Sequence, residues 1–148
     1  MKFTRIFFIT LIFSLSSPIA SYANQSVEEI IKGRKAMFSE NYQNGKKISI
    51  LLKSNKIEEA KLIMKKMSDN FKKLLDYFPE NTKEGFNTEA LPSIWENKDE
   101  FNALMQKASG DMIKLAKAID TAEDLRAAQK ELMWSNCSAC HNRFRAEH

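Results

Sequence analysis

Two cysteines, Cys137 and Cys140, lie three residues apart near the C-terminus, and His141 follows directly. A Cys-x-x-Cys-His run is the attachment signal for a c-type haem. Its two thiols can add to the two vinyl groups of one porphyrin as thioethers, and the adjacent histidine is then held against the iron. On a helix all three side chains share a face, because spacings of three and four residues bring side chains together. The sequence therefore predicts one covalent haem c, with His141 as the proximal axial ligand of the haem iron.

Other uses of two cysteines fit this chain less well. A thioredoxin-like redox dithiol needs a βαβ context, and no alternating strand pattern persists here. A zinc site needs about four ligands, whereas the chain has two cysteines and two histidines, one of them the final residue, His148. A plain disulfide would leave the histidine beside the second cysteine unexplained.

The N-terminus has the order of a secretory signal. Lys2 and Arg5 precede an apolar run over residues 6–15, and the small-residue pattern Ser21-Tyr22-Ala23 follows. The run is too short to span a bilayer, which takes about 20 residues. We expect cleavage after Ala23, so that residues 1–23 are removed and residues 24–148 form one domain in the periplasm with no stable membrane span.

The charge balance gives little indication of a polyanionic partner. The full chain has 23 basic and 19 acidic residues and a net charge of +4. Loss of Lys2 and Arg5 with the signal lowers this net charge to +2. We therefore expect no nucleic-acid binding.

Glycine and proline are scarce, and apolar residues recur with helical spacing, so the fold class is all-α. We predict four helices, at about residues 26–54, 56–77, 97–119 and from 121 to near the C-terminus. Capping-box patterns at residues 26–29 and 97–100 mark two of the starts. Short links make the first pair and the last pair antiparallel, which predicts an antiparallel four-helix bundle. The long connection between helices two and three is expected to pack over an edge of the cofactor.

Arg34 lies near the centre of the apolar stripe of the first helix. A guanidinium is rarely buried without a partner. A haem brings two propionates, which arginine binds well. We expect Arg34 to bind a propionate; the alternative is a salt bridge to a protein carboxylate at the rim of the bundle.

The other side of the iron could face either of two neighbours on this helix, Met37 or Phe38. A methionine thioether can ligate haem iron and gives a low-spin electron carrier. A phenylalanine leaves the iron five-coordinate under an apolar cover, where nitric oxide or carbon monoxide can bind. Such a cover offers bound oxygen no hydrogen-bond donor. Spacing alone leaves both residues open.

With its haem motif on the last of four helices, the chain resembles the cytochrome c-prime family of class II c-type cytochromes. The resemblance covers the whole mature chain. It includes the segments Arg34-Lys35-Ala36-Met37-Phe38, Tyr77-Phe78-Pro79-Glu80, Pro92-Ser93-Ile94-Trp95 and residues 137–145. Many members of this family are homodimers. We expect a periplasmic haem protein for electron transfer or binding of small gases, with unidentified redox partners. We do not predict an enzyme, because no acid-base pair or nucleophile constellation appears beyond the haem site.

The resemblance also implies roles for single residues. Arg34 matches an arginine near the propionates, and Phe38 matches an apolar blocker of the distal face, which favours a five-coordinate high-spin haem. Met37 remains the low-spin alternative.

Arg145 matches an arginine beside the proximal histidine, and Phe144 matches an aromatic near the haem. Trp95 would cover the haem edge or anchor the loop, while Lys35 departs from a position that is often glutamine.

Overall fold

A computed structural model describes residues 25–147 of the chain. The predicted signal peptide, residues 1–23, lies outside these residues, as does His148. The helices are α1 (Val27–Lys53), α2 (Ile57–Leu74), α3 (Ser93–Glu96), α4 (Lys98–Ala118), α5 (Leu125–Gln129) and α6 (Ser135–Phe144). A π-helical turn, Lys130–Trp134, joins α5 to α6. These three segments are called the C-terminal helix below.

The start of α1 is a complete capping box. The Ser26 side chain accepts a hydrogen bond from the Glu29 backbone N–H (3.2 Å), and the Glu29 carboxylate accepts one from the Ser26 backbone N–H (2.8 Å). Two backbone donors that a helix start leaves unpaired are thereby satisfied. The predicted first helix and its cap are confirmed.

The capping box predicted at residues 97–100 is wrong, although α4 does begin there. The Asn97 side chain donates to the carbonyl of Ser93 (3.2 Å), and so does the Asn97 backbone N–H (2.9 Å). Asn97 is therefore occupied in closing α3, a short helix that the sequence pattern did not reveal. A different helix, the C-terminal helix, does have a side-chain cap. The Asp124 carboxylate accepts hydrogen bonds from the backbone N–H groups of Arg126 and Ala127 (2.9 Å each).

The four long helices close a ring in which every neighbouring pair is antiparallel. The contacts between neighbours are Asn70–Asn41 (α2 to α1, 3.0 Å), Ser68–Ser109 (α2 to α4, 2.8 Å), Asn136–Asp111 (C-terminal helix to α4, 3.1 Å) and Gln129–Ser49 (C-terminal helix to α1, 2.7 Å). In an antiparallel pair, residues towards the start of one helix lie beside residues towards the end of the other. Accordingly, Lys61, which precedes Ser68 on α2, forms an ion pair with Asp120 just after α4. The predicted antiparallel four-helix bundle is confirmed. Its core is built mainly from aliphatic, methionine and phenylalanine side chains, among them Ile48, Met64, Met67, Leu74, Phe101, Met105, Met112, Leu115 and Met133.

The connection between α2 and α4 is ordered by tertiary contacts. The Trp95 indole N–H lies within hydrogen-bonding distance of the carbonyls of Phe78 (3.1 Å) and Pro79 (3.2 Å). Further along, the Leu91 N–H donates to Phe144 (3.1 Å), and the Ala146 N–H donates to Glu89 (2.9 Å). The connection is thus fastened to the end of the C-terminal helix.

Between residues 25 and 147, every helix is too short or too polar to cross a bilayer.

Candidate haem-binding site

A cavity of about 660 Å³ lies within the bundle, and the predicted attachment residues line it. Cys137, Cys140 and His141 all face it from the C-terminal helix. The rest of the lining is mostly apolar and includes Phe38, Phe71, Phe78, Ile94, Phe101, Leu104, Met105, Ala108, Trp134 and Phe144. Both the volume and the apolar character are typical of a cofactor pocket.

The three attachment residues share a face because they lie in regular α-helix beyond the π turn. The residue before Cys137 holds this segment in place. Asn136 is buried and donates to a carboxylate oxygen of Asp111 on α4 (3.1 Å) and to the carbonyl of Leu132 in the π turn (3.0 Å). Asn136 therefore ties the start of the haem motif to α4.

Asp111 itself is 1% exposed and is surrounded by donors. Burial alone would raise the pKa of its carboxyl, but hydrogen bonds from Lys107, Lys114 and Asn136 outweigh burial and lower the pKa to about 2. The two lysines lie 2.5 and 2.9 Å from it. This cluster was not predicted from the sequence, although Lys107, Asp111 and Lys114 are spaced so that their side chains meet on one helix.

The two cysteines are free thiols in this structure. Burial raises the pKa of Cys137, and burial together with the neighbouring Cys137 raises the pKa of Cys140 to about 11. Both thiols are therefore protonated at neutral pH. Redox dithiols and reactive cysteines have lowered pKa values, so this environment does not suit thiol–disulfide exchange.

Arg34 is 2% exposed and makes four hydrogen bonds to the connection between α2 and α4. One terminal nitrogen donates to the Tyr77 carbonyl (3.1 Å) and the Thr82 hydroxyl (2.9 Å); the other donates to the Thr82 carbonyl (2.9 Å) and the Thr88 hydroxyl (2.7 Å). The guanidinium carbon lies 4.6 Å from the centre of the Phe78 ring. Arg34 thereby fixes this connection against α1.

Every one of those acceptors is neutral. None of the ion pairs formed among residues 25–147 includes Arg34, so the alternative of a salt bridge to a protein carboxylate is not found there. Burial lowers the pKa of Arg34 to about 10, which still leaves the group charged. A buried positive charge without a counter-ion at the wall of the cavity suits an anionic ligand.

Met37 and Phe38 are adjacent on α1, but their side chains lie in different surroundings. Phe38 lines the cavity and meets Phe78 edge-on, with the ring centres 6.4 Å apart. Met37 packs against the core and is not among the residues that line the cavity. Of the two residues, Phe38 is the one placed to face a cofactor.

The remaining predicted residues divide between the cavity and the loop. Phe144 is buried edge-on against Phe101 (5.4 Å between ring centres), and both Phe144 and Arg145 line the cavity. Trp95 does not line it and anchors the connection through its indole N–H instead. Lys35 lies at the cavity wall and donates to the carbonyl of Asn87 (2.8 Å).

Several lining residues were not singled out from the sequence. Trp134 faces Tyr42 edge-on, with the ring centres 6.3 Å apart. Asn41 lies three residues after Phe38 and seven after Arg34, a helical spacing that could have identified it. Its amide is one of several polar groups in a wall that is otherwise mostly apolar.

Together these residues fit a covalent haem. Two protonated thiols and an imidazole lie on one face of a helix, an apolar cavity accepts a porphyrin, and the buried Arg34 cation can meet a propionate.

Comparisons with known proteins agree on one family. A sequence profile described as Cytochrome C' matches residues 29–145. Cytochrome c' of Rhodopseudomonas palustris is 31% identical over 122 residues, which cover 80% of this chain and 83% of that protein. A solved structure of cytochrome c' from the same species has a TM-score of 0.65 and 30% identity, covering 83% of this chain and 98% of that one. A nitric oxide complex of a cytochrome c prime variant from Alcaligenes xylosoxidans has a TM-score of 0.69 over 83% of this chain and 98% of that one; at 21% identity this likeness concerns the fold alone. Because the profile spans most of the chain, the protein belongs to the cytochrome c' family.

Proposed function

We propose that this chain carries one haem c, joined by thioethers to Cys137 and Cys140, with His141 as the proximal ligand and no protein ligand on the distal side. One observation carries the proposal: these three residues and Phe38 line the same apolar cavity, whereas Met37 does not line it. The bound haem supplies a redox-active iron with a position for a small gas. The protein would bind nitric oxide or carbon monoxide and exchange electrons in the periplasm.

The side chains around the cavity have separable tasks. Cys137, Cys140 and His141 hold the cofactor against the C-terminal helix. Phe38 covers the α1 side with a group that cannot ligate iron. The aromatic and aliphatic lining limits the access of water, and such a shell tunes redox potential and ligand preference.

Arg34 would provide the charge partner for a propionate. Its four neutral acceptors satisfy N–H groups but leave the positive charge uncompensated, and a carboxylate supplies that charge. Phe144 and Arg145 would border the proximal histidine. Trp95 would act indirectly, by anchoring the loop that Arg34 contacts.

The Alcaligenes xylosoxidans protein, whose nitric oxide complex is known, resembles this chain in fold. Support for gas binding in this chain comes from its own cavity and from Phe38. Export to the periplasm, a homodimer, unidentified redox partners and the absence of nucleic-acid binding stay predictions.

The test is the spin state of the iron in the purified mature protein. We expect a high-spin ferric signal in absorption and paramagnetic resonance, carbon monoxide uptake by the ferrous form, and the same spectra in Met37→Leu. A low-spin signal that disappears in Met37→Leu would instead establish an electron carrier with Met37 on the iron.

Attachment is tested separately. Haem staining should survive denaturing electrophoresis and be absent from a Cys137→Ser, Cys140→Ser double variant. A colourless exported protein would contradict the haem proposal.

A further inference from the structure

Asn41 presents an unsatisfied hydrogen-bond donor at the wall of the haem cavity. The residue is 5% exposed and lines the cavity one helical turn after Phe38. Its Oδ1 accepts a hydrogen bond from the Nδ2 of Asn70 on α2 (3.0 Å). Its own Nδ2 is buried and has no hydrogen-bond partner within the described part of the chain. Leaving such a donor unpaired is unfavourable, and buried polar groups are nearly always satisfied.

The orientation of this amide is set by its neighbours. Asn70 Nδ2 also donates to a carboxylate oxygen of Glu40 (2.9 Å). Hydrogen bonds from Lys66 and Asn70 lower the pKa of Glu40, so its carboxylate is ionised and can only accept. The amino group of Asn70 must therefore face Glu40 and Asn41. It follows that Asn41 turns its oxygen to Asn70, and its N–H groups cannot be exchanged with that oxygen by a flip.

Asn41 is well separated from the propionate partner. Asn41 follows Arg34 at a distance of seven positions along α1, which corresponds to a rise of about 10 Å. Phe38 lies between them on the same face. The donor therefore lies along the distal wall, away from the end of the cavity where Arg34 offers its charge.

We propose that Asn41 Nδ2 donates a hydrogen bond to a polarised diatomic gas in the cavity, and that Asn70 and Glu40 orient it. Because this inference rests on the proposed function, it requires a haem whose open position faces α1. A donor beside the iron favours gases that gain partial negative charge on binding, such as oxygen or nitric oxide, over carbon monoxide. Phe38 would then limit access, while Asn41 sets preference among gases. The sequence predicted a distal side without a hydrogen-bond donor, whereas this proposal gives that side one donor, the oriented amide of Asn41.

The experiment measures the C–O stretch of the ferrous carbon monoxide complex of the mature holoprotein by infrared spectroscopy. A donor near the outer oxygen lowers this frequency. Asn41→Leu keeps the side-chain volume and removes the donor, so the stretch should move to higher frequency. Nitric oxide should leave about two- to tenfold faster, as expected for loss of one hydrogen bond.

The chain offers a matched control. Asn44 lies on the same helix and also has a buried Nδ2 without a partner in the described residues, but it does not line the cavity. Asn44→Leu should leave the stretch unchanged. Asn70→Leu retains Asn41 but releases its orientation, so it should give an intermediate or broadened band.

The outcomes separate the two proposals. If carbon monoxide binds but its stretch is the same in wild type and Asn41→Leu, the role of Asn41 is overturned while the five-coordinate haem stands. If the ferric protein is low-spin and the ferrous form takes up no carbon monoxide, both are overturned. Should Asn41→Leu fail to fold, Asn41→Ala also removes the donor and is read in the same way.

Discussion

Gly45 on α1 and Trp134 on the C-terminal helix approach so closely that a Cβ added to the glycine would lie 2.9 Å from Cη2 of the indole. Trp134 belongs to the π turn, lines the haem cavity and lies three residues before Cys137. The missing side chain at Gly45 therefore sets how near α1 comes to the helix that holds the haem motif. This is a close approach that only glycine permits without a shift of the ring.

Gly45→Ala should push Trp134 from its place and lower the free energy of unfolding by about 1–2 kcal/mol. Overpacking costs about 1–3 kcal/mol, and the better helix propensity of alanine returns up to about 1 kcal/mol. Urea unfolding measures the change. Gly110 on α4 is the control, because nothing lies within 4 Å of its added Cβ; Gly110→Ala should raise stability by about 0.5–1 kcal/mol. Equal gains in both variants would contradict the close approach.

Arg34→Lys should loosen the connection between α2 and α4. Lysine cannot reproduce the planar fork that reaches Thr82 and Thr88 together, so the free energy of unfolding should fall by about 2–3 kcal/mol. The backbone N–H of Thr82, which donates to Pro79 (3.1 Å), should exchange with solvent faster. Hydrogen exchange followed by mass spectrometry measures this directly.

The control for Arg34→Lys is Arg126→Lys, since Arg126 is exposed on α5. Its effect on stability should stay within about 0.5 kcal/mol. Unchanged exchange in Arg34→Lys would mean that the guanidinium does not hold the loop.

Asp111 should make stability fall at acid pH. Its pKa of about 2 in the folded state lies below the unfolded value of about 3.9. The carboxylate therefore contributes fully above about pH 4, and the contribution of about 2–3 kcal/mol is lost as pH falls from about 4 towards 2. Asp111→Asn should be less stable at neutral pH and show a flatter profile in this range.

Urea unfolding at a series of pH values measures that profile. Asp69, exposed on α2, provides the comparison, because Asp69→Asn should keep a profile close to wild type. If Asp111→Asn and wild type lose stability in parallel below pH 4, the buried carboxylate is not the cause.

Local patterns predicted what depends on neighbours along the chain. Ser26 and Glu29 are three residues apart, so their capping box could be predicted and is confirmed. The shared face of Cys137, Cys140 and His141 also depends only on helical spacing, and it holds because the π turn lies before these residues. The helical spacing of apolar residues and the short links between helices were likewise enough to predict the antiparallel bundle.

Contacts between distant segments could not be predicted in this way. The place of Arg34 in the apolar stripe of α1 predicted its burial, but not its neutral partners. Thr82 and Thr88 lie 48 and 54 residues away, and only the folded loop brings them to Arg34. The Asn136–Asp111 pair joins two helices at a position fixed by packing. The π turn has no local signature in the residues around Trp134, and the short helix α3 takes the side chain that was expected to cap α4.

Phe38→Ala should speed the entry of carbon monoxide into the ferrous protein. The Phe38 ring lines the cavity on the α1 side and packs edge-on against Phe78, so it obstructs the space that a distal ligand needs. If truncation removes about 1.4 kcal/mol from the barrier, association accelerates about tenfold. Flash photolysis measures the rate. Phe86 is 48% exposed and lies outside the cavity lining, so Phe86→Ala should leave the rate unchanged. An unchanged rate in Phe38→Ala would place the gas on a side of the haem away from α1, and it would thereby also contradict the role proposed for Asn41.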